Sequence, residues 1–101
     1  MRRLKSQKGH SGLSGLRYPR GVTMETDPDG VTLFSSRTGL YWRGNVVAAV
    51  VCDLIFEGLL LEQIVDAVSD RFGAERAEVQ YDVELLVSEF LRERLVVEVM
   101  E

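Results

Sequence analysis

The chain is poor in reactive side chains. Its 101 residues hold one cysteine, one histidine and one tryptophan. A lone Cys52 cannot close an internal disulfide. It stands in an apolar run with no ligand cluster beside it, which reads as a small buried hydrophobe in a reducing, cytoplasmic setting. His10 lies in a Gly/Ser-rich stretch, away from any partner. Nucleophilic triads and zinc centres are therefore excluded. No Gly-rich phosphate loop is present, and the carboxylates show no singled-out pairing, so no catalytic residue, metal or cofactor is expected. Long apolar stretches are also missing. The longest, residues 46–52, is far too short to span a bilayer, and no apolar segment follows the basic N-terminus as in a secretory signal.

Acidic residues are absent from the first twenty positions, which carry Arg2, Arg3, Lys5, Lys8, Arg17 and Arg20. The remaining residues hold all 16 acids against six arginines, a net charge of −10. A basic arm is thus joined to an acidic body. Glycines and serines dilute the arm's charge, so residues 1–21 read as a flexible, solvated N-terminal arm, with an electrostatic tether as the alternative. The folded domain is expected over residues 22–101. A hydrophobic share of 46% is enough for one core.

Within the body, Val22, Met24 and Thr26 alternate with Thr23 and Glu25, which predicts a half-buried strand. Asp27-Pro28-Asp29-Gly30 is a hairpin turn, with proline presetting φ. A second strand covers residues 31–35, a turn follows at 36–39, and a third strand covers 40–43. Asn45 suits a helix N-cap, and helix one runs over 46–57 with Gly58 closing it. Its expected core stripe is Val47, Val51, Leu54 and Ile55. Helix two spans 60–72 and buries Leu61, Ile64, Val65, Val68 and Phe72. Helix three spans 77–94 and buries Val79, Val83, Leu86, Val87 and Phe90. Residues 95–99 are extended and pack back on the core. The predicted fold is α+β: a three-stranded antiparallel sheet followed by three helices (βββααα), winged-helix-like with the sheet first.

Helices over a three-stranded meander leave two sheet edges. The third strand, from Leu40 through Tyr41 and Trp42 to Arg43, is one of them, and a peptide can add there as a fourth strand. Leu40, Tyr41, Trp42, Leu85 and Leu86 are candidates to line a cleft between that edge and helix three. Asp82 and Glu89 could meet basic residues of the guest. Plain core packing is the alternative for Trp42, and a solvent-facing strand position for Tyr41. A winged-helix nucleic-acid binder is a second reading, but Glu78, Asp82, Glu84, Glu89 and Glu93 on helix three oppose phosphate.

The order D-x-D-G-V-T-L-F, T-G-L-Y-W-R-G-N, a helix ending at E-G, L-E-Q-I-V-D-A-V-S-D-R-F and Y-D-V-E-L-L-V-S-E-F-L-R-E-R-L-V resembles the PqqD-like family, or RiPP recognition elements. Among these it is similar to the stand-alone proteins of lasso-peptide biosynthesis. The resemblance covers residues 22–97. It implies a non-catalytic protein that binds the leader of a precursor peptide at the third strand and third helix. Lasso leaders in such systems carry a Tyr-x-x-Pro pattern. The implied partners are a transglutaminase-like leader peptidase and then a macrolactam cyclase, with no nucleic acid and no membrane. A PqqD-like partner of another peptide-modifying enzyme is the close alternative. Four positions depart from the family: Gly44 replaces a usual Leu or Met, Cys52 a large aromatic, Arg94 a glycine, and Leu60 a Ser/Thr cap.

Overall fold

The computed structural model describes residues 15–99. Residues 1–14, with Arg2, Arg3, Lys5, Lys8 and His10, lie outside them. The hairpin forms where its chemistry predicts. Strand β2 (Val22–Asp27) pairs antiparallel with β3 (Gly30–Ser35), with Asp27 opposite Gly30. The Asp27 carboxylate accepts from the Asp29 N–H at 2.8 Å, closing the turn. Strand β4 (Tyr41–Gly44) pairs with β3, giving the order β2-β3-β4. Val22, Met24, Val31 and Leu33 make the sheet's buried face.

Helix α1 (Val46–Glu57) starts at Asn45, whose Oδ1 accepts from the Ala48 N–H at 3.0 Å. It stops at Gly58, which takes the left-handed φ of 92°. Helix α2 (Leu61–Phe72) lacks a Ser/Thr cap; instead Gln63 Oε1 reaches back to the Leu60 N–H at 2.8 Å. Gly73, at φ 61°, ends it. Helix α3 (Arg76–Arg92) ends two residues before the expected limit, and Arg94 sits at φ 60° without being glycine. Among the described residues no helix is long and apolar enough to cross a membrane.

Three expectations need correction. The stripe of α1 is Ala48, Val51, Cys52 and Ile55, while Val47 is exposed and Leu54 only half-buried. The helix is apolar on almost every side, so sequence periodicity could not fix its rotation. Phe72, expected on the buried stripe of α2, is exposed, because it is the last residue of the helix and lies beyond the core. The third correction concerns the N-terminal boundary. Gly15–Arg17 forms strand β1, which pairs antiparallel with β5 (Val97–Val99), Gly15 lying opposite Val99. Leu16 and Tyr18 enter the core, and the Tyr18 hydroxyl donates to the Cys52 carbonyl at 2.8 Å. The folded body therefore takes in residues 15–21, and the C-terminal segment is held by that strand, with Leu95 and Val96 fully buried.

Candidate peptide-binding edge

The backbone of β4 has two sides. Ser35 N–H donates to the Leu40 carbonyl at 3.0 Å, so the 35/40 pair is a hydrogen-bonded one. In an antiparallel ladder such pairs recur every second residue. The register puts Leu33 opposite Trp42 and Val31 opposite Gly44, so Trp42 and Gly44 turn their amides and carbonyls inward to β3. Tyr41 and Arg43 turn theirs outward. Among the described residues no strand pairs with that outer side.

Side chains alternate the other way. Trp42 projects to the helical face with its buried neighbour Leu33, and it is half-buried. Its ring meets Phe90 of α3 edge-on, centroids 4.7 Å apart, and its Nε1–H donates to Glu89 Oε2 at 2.9 Å. Tyr41, 72% exposed, lies on the open sheet face against the ring of Phe34 at 4.5 Å. Arg43 shares that face and is tied to Asp27. Leu40 is partly buried against the core.

On α3, Asp82, Leu85, Leu86 and Glu89 follow i, i+3, i+4, i+7 spacing and so form one stripe, about 10 Å long at 1.5 Å per residue. Leu85 is 53% exposed, Asp82 is exposed, and Leu86 is partly buried. Tyr81, 64% exposed, precedes Leu85 by one helical turn.

The eight sequence candidates therefore separate. Trp42 and Glu89 are in direct contact, and Leu85, Leu86 and Asp82 continue the stripe from Glu89. The side chains of Tyr41 and Arg43 point to the opposite face of the sheet, and only their backbones serve the edge. Glu89 already holds the indole, so its carboxylate is not simply free for a basic guest. Sequence reasoning missed Phe34 as the partner of Tyr41, although the 36–39 turn sets that register. It also missed Phe90 as the seat of Trp42.

Elsewhere the chemistry is quiet. Burial pushes the Cys52 thiol up to about 12, so it stays protonated at neutral pH. A surface hollow between α2 and α3 has an apolar floor of Leu60, Leu61 and Val65. Its rim is closed by Arg76, which pairs with Asp66 and donates to Gln80. Gln80 and Glu84 lie on the flank of α3 away from the Asp82–Glu89 stripe. Among the described residues, no group of His, Cys, Asp and Glu is placed to hold a metal ion.

The family model for coenzyme PQQ synthesis protein D (PqqD) matches residues 30–96. No curated protein matches the chain. Two solved structures share the fold at a TM-score of 0.73. One, TbiB1 in complex with the TbiA(beta) leader peptide, is 25% identical, the match covering 78% of this chain and 92% of that one. The other, a lasso peptide synthetase B1 complexed with the leader peptide, is 20% identical, with 81% and 96% covered.

Proposed function

Because this chain belongs to the PqqD family, we propose that it binds the leader of a ribosomally made precursor peptide of the lasso class. The leader adds as a strand along β4 and rests its apolar side chains on the α3 stripe. The observation that carries this reading is the open outer edge of β4, with the Tyr41 and Arg43 amides and carbonyls facing away from β3, and with the exposed Leu85 one helical turn along α3 from Glu89, the partner of Trp42. Each edge hydrogen bond contributes about 0.5–1.5 kcal/mol net. Ordering a disordered peptide costs about 2–5 kcal/mol or more. Apolar contact must make up the difference, and covering a leucine fully adds about 1.5–3 kcal/mol. The exposed Leu85 and the partly buried Leu86 supply that surface.

In this role the protein does no chemistry of its own. It holds the precursor for a separate leader peptidase of the transglutaminase-like cysteine protease kind, with a macrolactam cyclase acting afterwards. Nucleic acid is a poor guest for this surface. Glu78, Asp82 and Glu84 of α3 are exposed, and affinity for DNA depends on phosphate neutralisation.

Amide hydrogen exchange tests the proposal, using a synthetic lasso-precursor leader that carries the Tyr-x-x-Pro pattern. In the free protein the Tyr41 and Arg43 amides exchange fast and those of Trp42 and Gly44 slowly. Saturating leader slows Tyr41 and Arg43. If leader binds and those two amides remain fast, strand addition at β4 is wrong.

A further inference from the structure

Gly44 has no backbone reason to be glycine, since it is not among the positive-φ residues. The reason is space. Its register partner Val31 is fully buried, so a side chain at 44 would point into the same inner layer as Trp42, two residues earlier. The indole already occupies that place. A Cβ built on Gly44 would lie 2.5 Å from Cη2 and 2.6 Å from Cζ3 of Trp42, and 2.7 Å from the Ala48 Cβ. Real Cβ atoms do not tolerate such distances, and the helix-borne Ala48 cannot swing aside. Trp42 thus fills two side-chain sites: its own and the one left vacant at 44. From there it reaches Phe90 edge-on and donates Nε1–H to Glu89.

We infer that Gly44 is a positioning residue for Trp42, and that the indole laid over it and tied to Glu89 is the floor on which a bound leader's apolar side chain rests. Residue 44 is then a determinant of which leader is accepted. The inference rests on the leader-binding reading. It deepens that reading by stating what the guest meets between β4 and α3. The guest finds a partly exposed aromatic surface at the head of the Asp82–Glu89 stripe. A side chain at 44 would evict the ring from Phe90 and Glu89 and change the shape offered.

Trp42 is the only tryptophan in the chain, so its emission reports on this seam alone. The variants are Gly44→Ala, Glu89→Ala, Glu89→Gln, Trp42→Leu and the Trp42→Leu/Gly44→Ala pair. In the free protein, Gly44→Ala and Glu89→Ala should shift the emission to the red and raise acrylamide quenching. Glu89→Gln, which keeps an acceptor for Nε1–H, should stay near wild type. Titration with a fluorescein-labelled synthetic lasso leader carrying the Tyr-x-x-Pro pattern should show affinity weakened about three- to tenfold in Gly44→Ala and Glu89→Ala, the scale of one aromatic contact with its hydrogen bond. Gly44→Ala should lower the urea midpoint less in the Trp42→Leu background than in the wild-type background. Should Gly44→Ala not fold, the two Glu89 variants decide the matter from the other side of the ring. Unchanged emission and affinity in Glu89→Ala, or equal midpoint losses in both backgrounds, would overturn the inference while leaving leader binding intact. A wild-type protein that does not bind the leader overturns both.

Discussion

The guanidinium of Arg43 on β4 clasps the carboxylate of Asp27 at the end of β2, with Nη1–Oδ2 at 2.8 Å and Nη2–Oδ1 at 2.9 Å. It reaches across β3, where Nη1 also donates to the Thr32 hydroxyl at 3.0 Å. One side chain thus bridges all three strands at the turn end of the sheet.

That clasp gives a pH prediction. The Arg43 hydrogen bond, then the Asp29 N–H, hold the Asp27 carboxyl at about 2, below its ordinary 3.8. A depressed value means the unfolded chain takes up the proton first as pH falls. The stabilisation is complete above about 3.8 and is lost as pH drops through about 2. Carboxyl titration by NMR should place Asp27 below its ordinary 3.8, and Arg43→Ala should bring it back toward the ordinary range. Both groups are exposed to solvent, so added salt should weaken the effect. An Asp27 midpoint indifferent to Arg43→Ala would refute the assignment.

Two prolines, one position apart, should behave differently. At Tyr41 a proline removes an outward N–H and leaves the β3–β4 ladder intact; at Trp42 it removes an inward one. Tyr41→Pro is expected to fold and to bind the leader about two- to tenfold more weakly, the worth of one hydrogen bond. Trp42→Pro is expected to lose stability in urea melts even without leader. Equal leader affinity for Tyr41→Pro and wild type would count against the edge.

Truncation separates the N-terminus into two parts. A chain starting at residue 15 keeps Leu16 and Tyr18 in the core. One starting at residue 21 strips them and leaves β5 unpaired. The longer deletion should lose roughly 3–6 kcal/mol, comparable with the whole stability of many small domains. Urea denaturation of both chains checks this, and equal midpoints would show that β1 contributes nothing. Deleting residues 1–20 is accordingly a poor test of the basic segment, whereas deleting 1–14 spares the body.

Arg94 holds a left-handed backbone at φ 60°, where a Cβ is unfavourable. Arg94→Gly should therefore raise stability by about 1 kcal/mol, with the greater freedom of glycine in the unfolded chain taking back part of the gain. A higher urea midpoint at unchanged slope is the expected readout; a lower midpoint would contradict it.

Local chemistry was legible in the sequence, and distant partnership was not. Asn45, Gly58 and Gly73 bound their helices because a cap or a left-handed stop acts within a few residues. The sheet order and its edge followed from two short turns. Strand β1 gave no warning: three residues in a glycine-diluted stretch pair with a partner some eighty positions away, and no local period marks them. The bond from Trp42 to Glu89 spans 47 positions and depends on how α3 crosses the sheet. The departures from the family pattern were visible as letters, but their meaning was spatial. Gly44 became intelligible once the indole was seen lying over it, and Arg94 once its φ was known.

The pairing of Gly15 with Val99 also bears on how this domain can be joined to others. Chain that enters at β1 and chain that leaves at β5 run antiparallel and side by side. A short linker could bridge them, and new ends could be opened at the exposed 36–39 turn to give a circular permutant. An enzyme fused before residue 15 or after residue 99 would hang from the same corner of the body. In modular terms the domain is a cartridge with both connectors on one side, so its orientation to an attached enzyme need not depend on which end carries the fusion.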